Sequence, residues 1–256
     1  MDRELLYIIS KKRVLRGELP RELCFYSPLE VYEALSSNDG YVVKWLQFVS
    51  ESYIPPPTKT ILLLYPCSAV KPYNLSRSYK ALYSTLEKLP EVVRKSIHVV
   101  TISEPFGLVP EEFYEKWSKW YDCPGLFEWW CNKYGVAYDK ELASKCINIL
   151  AIHIARFLVR TRDQYAKRIA FVRTYTSSLK PSDSTHRKIM ELATSISGVQ
   201  VELHPSKDIV EKIVKDKGRS AWDFYGVSHP LAQEYLARLL TKVANDREFP
   251  AQYKQK

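Results

Sequence analysis

The stretch Thr60-Ile61-Leu62-Leu63-Leu64-Tyr65-Pro66-Cys67-Ser68-Ala69-Val70-Lys71-Pro72-Tyr73-Asn74-Leu75-Ser76-Arg77-Ser78-Tyr79 outlines the fold. Ile61 to Leu64 is an unbroken apolar run. It is too short for a helix and predicts a strand buried on both faces. Pro66 ends the strand. The loop that follows carries a thiol, hydroxyls and an ammonium. Ser76 or Ser78 is placed to cap a helix whose apolar positions Leu82, Leu86 and Leu89 recur at helical spacing. Strand, polar loop and helix start in succession put reactive groups at the carboxyl edge of an open α/β sheet. The free N–H groups of a helix start favour an anion there.

The same alternation continues downstream. Ile97 to Ile102, Arg168 to Arg173 and Val199 to Leu203 read as further parallel strands. Between them lie a helix from about Lys140 to Val159 and a second from His186 to Ile196, capped by Asp183-Ser184-Thr185. Pro230 opens a last amphipathic helix through Val243. About four strands alternating with helices define an α/β fold with a three-layer, doubly wound parallel sheet. Right-handed crossovers gather the strand ends on one edge, which would collect Cys67, Ser68, Lys71, Glu104, Arg173 and His204. The polar loop Thr174 to Ser178 follows the third strand.

Upstream, Leu5 to Ile9 reads as a strand, Ser27-Pro28 as the start of a helix through Leu35, and Tyr41 to Tyr53 as an amphipathic helix. Pro55-Pro56-Pro57 forms a stiff connector. The expected division is a small N-terminal helical appendage over 1–57, an α/β core over 58–246 and a tail over 247–256. Trp117, Trp120, Trp129 and Trp130 crowd one region. Core packing is the expected role of each, and base stacking the alternative for a ring on an exposed rim. His153 reads as a packed histidine.

Composition bounds the function. The 256-residue chain carries a formal net charge of +9, which fits a nucleic-acid partner and also serves solubility. The five cysteines include no CxxC pair, so neither a disulfide framework nor a metal site is expected. Eight glycines form no GxGxxG or GxxxxGK[ST] motif, so no nucleotide cofactor is expected. No apolar run approaches the roughly 20 residues that span a bilayer, and Met1-Asp2-Arg3-Glu4 lacks a signal-peptide pattern. A cytoplasmic protein without a membrane partner is expected.

Pro66-Cys67-Ser68-x-x-Lys71-Pro72-Tyr73-x-x-Ser76-x-Ser78 resembles the signature loop of archaeosine synthase, an archaeal tRNA-modification enzyme related to the tRNA-guanine transglycosylases. The family pattern ends in His where this chain has Tyr79. Pro105, then Gly107-Leu108-Val109-Pro110 and acidic Glu111, is similar to the loop after the family's second strand. Tyr121-Asp122-x-Pro124 and Trp129 resemble a further family segment, shortened here after Pro124 to Gly125-Leu126. The resemblance covers about residues 40–130. It implies a uracil-DNA-glycosylase-like domain and a reaction in which free lysine adds to the nitrile of preQ0 at position 15 of tRNA. A radical-SAM partner then releases archaeosine. Full archaeosine synthases also carry a degenerate transglycosylase domain and a PUA domain, for both of which this chain is too short.

Addition to a nitrile needs a neutral amine, donors for the developing anionic nitrogen and a clamp for the amino-acid carboxylate. The candidate catalytic residues are Cys67, Ser68, Lys71 and Asp122. Candidate substrate-binding residues are Pro66, Tyr73, Ser76, Ser78, Glu104, Gly107 and Tyr121. Asp122 or Glu104 would take the amine proton. Cys67 either attacks first, giving a thioimidate, or packs as a small residue. The competing readings are a non-catalytic tRNA-binding subunit and a glycosylase-like nucleobase-processing enzyme. The latter would want a carboxylate or Asn between Pro66 and Tyr73, which has neither.

Overall fold

A computed structural model describes residues 2–174 and 184–245. The expected loop residues 175–178, the cap residue Asp183 and the tail 247–256 lie outside the described residues.

The run Leu5 to Ile9 is helical, not extended: it belongs to α1 (Arg3–Lys11), capped by Asp2, whose side chain accepts from the Glu4 N–H. Leu6 and Ser10 are its buried residues, one turn apart, while Leu5 and Ile8 are exposed. Period four, not period two, decides the element. Helix α2 (Pro28–Ser36) starts as expected, with Ser27 accepting from Glu30 N–H. Helix α3 (Tyr41–Gln47) runs on into a π-helical turn, Phe48–Ser52.

Strand β1 (Ile61–Pro66) has five fully buried residues, from Ile61 to Tyr65. Helices α4 (Arg77–Leu86) and α5 (Glu91–Ser96) lead to β2 (Ile97–Ser103). A short β3 (Gly107–Pro110) then turns back. After α6 (Glu128–Tyr134) and the long α7 (Lys140–Arg160) come β4 (Lys167–Phe171), α8 (Thr185–Ser197), β5 (Glu202–His204), α9 (Lys207–Lys217), α10 (Arg219–Tyr225) and α11 (Pro230–Asn245).

Among the described residues the strands form one five-stranded sheet in the order β3-β2-β1-β4-β5. All neighbours are parallel except β2 and β3. The sheet is therefore mixed, with one strand more than expected. The missed strand is the Gly107-Leu108-Val109-Pro110 segment, whose Gly and Pro read as turn residues. Gly107 takes φ +64, and an added Cβ would stand 2.8 Å from Leu46 Cδ2, so this tight return needs glycine.

The chain leaves β1 toward β2 and returns past it to β4, so β1 and β4 flank the topological switch point. Crossovers in opposite directions put their helices on opposite faces. Accordingly α4 packs with α11, and α7 with α8. Helix α7 is long and apolar enough to span a bilayer by length and composition, with 44% of its apolar window buried. It packs on α2, α8 and β3, as the core helix of an α/β domain does. Residues on both sides of Pro55–Pro57, from Leu23, Phe25 and Trp45 to the β1 leucines, share one continuous core.

Candidate active site

The carboxyl ends of β1 and β4 open into a cleft of about 480 Å³, where the switch-point rule places ligands in open α/β sheets. Pro66, Cys67 and Ser68 enter it from β1, Ser103 and Glu104 from β2, and Arg173 from β4. Ser184 and His186 enter from the start of α8, and residues 223–227 from the end of α10.

At the centre stand Cys67, Glu104 and His186, whose ligand-type atoms all lie within 4.8 Å of one another. Cys67 Sγ lies 3.8 Å from Glu104 Oε2 and donates toward it. His186 Nε2 lies 3.3 Å from the same oxygen, an ion-pair approach off hydrogen-bond alignment. Burial works against a charged imidazole, but the Glu104 carboxylate and the Cys67 thiol outweigh it and hold His186 well above the usual histidine range. The other four thiols are pushed up by burial, Cys24 and Cys131 to about 11, Cys146 to about 12 and Cys123 well above its ordinary value. Cys67 is the half-buried thiol at the cleft.

A second cluster lines the same cleft. Lys71, only 2% exposed, places Nζ 3.7 Å from Asp122 Oδ1 and 5.1 Å from the centre of the Tyr121 ring. Arg13 reaches within 3.8 Å of Asp122 Oδ2. The N-terminal segment holds both partners by their backbones. Lys71 N–H donates to Arg13 O and Leu15 N–H to Lys71 O, while Asp122 N–H donates to Leu23 O and Phe25 N–H to Asp122 O. Glu104 Oε1 and Asp122 Oδ2 are buried without a hydrogen-bond partner among the described residues. Buried acceptors of this kind are rare and call for an explanation.

The other expected residues divide into lining and supporting positions. Ser68 and Ser78 line the cleft. Ser76 caps α4, accepting from Tyr79 N–H at 3.3 Å. Tyr73 and Tyr121 are buried behind the cleft, their hydroxyls bonded to each other and to Ser103 Oγ. Gly107 turns the chain at β3. Tyr79 is fully buried, bonded through its hydroxyl to Thr101, which also meets Tyr114 OH. His204 does not join the cleft. It sits at the end of β5 with Tyr235 OH 2.8 Å from Nδ1. His153 packs against Ser50, 3.2 Å away.

Of the four crowded tryptophans, Trp117, Trp120 and Trp130 are buried or packed against the core. Trp129 is 56% exposed, and so is Phe224 at 72%, and both line the mouth of the cleft. Arg77 lies over the rings of Phe224 and Tyr225, at 5.4 and 4.6 Å.

Sequence reasoning missed His186 as a site residue and treated it only as a helix start. Its position immediately after a polar loop, at the helix start following a sheet strand, repeats the arrangement around Cys67 and is the signal available.

The fold and the site together define a doubly wound, mostly parallel α/β domain with a thiol, a carboxylate and an imidazole meeting at its switch-point edge. Residues 42–192 match the family described as Domain of unknown function (DUF5591), and the chain belongs to that family. It is similar to archaeosine synthase subunit alpha of Thermoplasma acidophilum, 25% identical over 203 residues, covering 77% of this chain and 36% of the relative. The subunit of Thermococcus kodakarensis is 26% identical over 194 residues, covering 74% and 30%. That of Methanosarcina acetivorans is 41% identical over 80 residues, covering 31% and 12%. The chain thus spans about a third of the length of the first two relatives. The crystal structure of AF0587, a protein of unknown function, overlaps 77% of this chain and 49% of that one, at TM-score 0.44 and 21% identity.

Proposed function

We propose that this domain acts in archaeosine formation on tRNA, adding the amine of free lysine to the nitrile of preQ0 at position 15. The observation that carries the reading is the meeting of Cys67, Glu104 and His186 in one cleft with the Lys71–Asp122–Arg13 cluster. The similarity to archaeosine synthase subunit alpha supports it. The uracil-DNA-glycosylase-like grouping of the fold is part of the same proposal.

In this scheme the Cys67 thiol lends its proton to Glu104 and attacks the nitrile carbon as thiolate, forming a C–S bond. The nitrile nitrogen takes a proton from the His186 imidazolium, and a thioimidate results. The incoming ammonium gives up one proton to the neutral imidazole before attack. Its nitrogen then adds to the imidate carbon and the C–S bond breaks. The leaving thiolate is restored, the spare amine proton is released, and the product is an amidine. The net change is addition of one N–H across C≡N, without oxidation or reduction. Lys71 and Arg13 outnumber Asp122 in charge and leave a surplus positive charge for a carboxylate. The orphan oxygen of Glu104 is an acceptor for an N–H of base or amine. Release of archaeosine from the adduct by a radical-SAM enzyme is the partner step this proposal assigns to another protein.

The alternative is a non-catalytic tRNA-binding subunit, favoured by the exposed Trp129 and Phe224 rings at the mouth. Mass spectrometry of preQ0-tRNA incubated with the protein and lysine decides. A mass gain equal to one lysine supports catalysis. Binding of tRNA with no mass gain leaves the binding subunit as the reading.

A further inference from the structure

The cluster of Cys67, Glu104 and His186 has a geometry beyond proton transfer. We propose that these three side chains form a site for a divalent transition-metal cation, with zinc the best fit and the fourth coordination position open to the cleft. A tetrahedral zinc ion bound at about 2.0–2.3 Å by sulfur, nitrogen and oxygen separates its ligand atoms by about 3.4 Å (N to O) and about 3.6 Å (S to O). The corresponding separations are 3.3 Å for His186 Nε2 to Glu104 Oε2 and 3.8 Å for Cys67 Sγ to Glu104 Oε2. All three atoms lie within 4.8 Å of one another, so closing on an ion requires only side-chain adjustment.

The donor types select the ion. A thiolate with an imidazole disfavours magnesium and calcium and suits zinc. Thiolate, carboxylate and neutral imidazole balance a divalent charge, and binding releases the thiol and imidazolium protons. Three protein ligands from three elements leave one position for water or substrate, as in open zinc sites. Glu104 Oε1, without a partner among the described residues, is free to take the ion in a second contact or to hold its water. With an ion bound, Cys67 Sγ is coordinated and His186 has no proton to give, so the addition proposed above runs in the ion-free protein and zinc arrests it, a consequence that rests on that function. Metal binding itself does not.

The test uses the full chain stripped with chelator and titrated with Co²⁺ and Zn²⁺. The expected result is one ion per chain, with a sulfur-to-cobalt charge-transfer band and visible bands of tetrahedral intensity. Zinc should protect Cys67 from iodoacetamide. Cys67→Ala should abolish the charge-transfer band and weaken zinc binding by at least about 10- to 100-fold, the range already seen when only an outer partner of a ligand is lost. His186→Cys supplies another ligand of the right kind and should retain binding. A melting curve checks that each variant is folded. A weak six-coordinate spectrum, or zinc affinity unchanged in Cys67→Ala, overturns the proposal. None of these readouts involves tRNA or lysine, so the result is independent of the mass-gain assay.

Discussion

Lys71 Nζ and Asp122 Oδ1 stand 3.7 Å apart although they come from different loops, because the segment from Arg13 to Phe25 is hydrogen-bonded to both backbones. The pair is buried, and its geometry depends on a third stretch of chain.

Replacing Lys71 with Met keeps most of the stem and leaves Asp122 with Arg13 alone. Removing one partner of a buried pair costs about 3–5 kcal/mol. The low end is expected, since Arg13 still faces Asp122 Oδ2 at 3.8 Å. Thermal denaturation measures this. If the amine-addition reading holds, the folded fraction should also turn over about 30- to 1000-fold more slowly. A wild-type rate would make the cluster purely structural.

Trp129 and Phe224 are exposed at the cleft mouth, so Trp129→Ala and Phe224→Ala should leave the melting temperature nearly unchanged. Stacking of one base on an aromatic ring is worth about 1–3 kcal/mol, so if the proposed action on tRNA holds, tRNA affinity should fall about 5- to 150-fold in each variant. A gel-shift titration at fixed salt reads it directly. Trp130→Ala should do the opposite, lowering stability, because that ring is buried.

Tyr79→His restores the residue usual in the archaeosine synthase pattern. Here the hydroxyl of Tyr79 engages Thr101 inside the core and the ring does not line the cleft. The shorter imidazole would leave a buried polar group poorly paired, at about 1–3 kcal/mol. Reduced stability with no gain in rate is the expected pair of results. A gain in rate would place position 79 in the chemistry.

Glu112 carries the clearest pH dependence. Burial raises its pKa, but hydrogen bonds from His98 and Tyr53 prevail and hold it at about 2. A carboxyl depressed in this way stabilises the fold fully above its unfolded pKa of about 4.3. That contribution is lost as pH falls from there toward 2. Glu112→Gln should therefore lower the melting temperature at pH 7, and the difference from wild type should shrink through that window. A difference independent of pH would mean that the carboxylate charge is not what matters there.

How much of this could be read in advance depends on how local the signal was. Strand β1 and the Ser76 cap were legible because an apolar run and a capping serine act within a few residues of themselves. Strand β3 was not, because Gly107 and Pro110 carry turn chemistry and only pairing with β2 makes them a strand. The signature loop pointed to the cleft but could not separate lining from support. Cys67 and Ser78 face the opening, whereas Tyr73 and Tyr121 bond to Ser103 behind it. His186 escaped notice because its partners, Glu104 and Cys67, are remote in sequence.

Deleting residues 1–38 tests the division at Pro55–Pro57. The deletion removes the backbone partners of Lys71 and Asp122 and core residues such as Phe25 and Val31. We expect a destabilised protein that no longer holds the pair in register. A well-folded remainder with an undistorted near-ultraviolet spectrum would instead support an independent appendage.

The bridges from Val14 to Lys71 and from Cys24 to Asp122 also order events during synthesis. Residues 13–25 emerge from the ribosome well before residue 122, and until then half of their pairing surface does not exist. The nascent sheet can begin from β1 and β2, whereas the Asp122 side of the cleft must close late, by long-range contacts that form slowly. A segment that waits in this way is open to chaperones and proteases during synthesis.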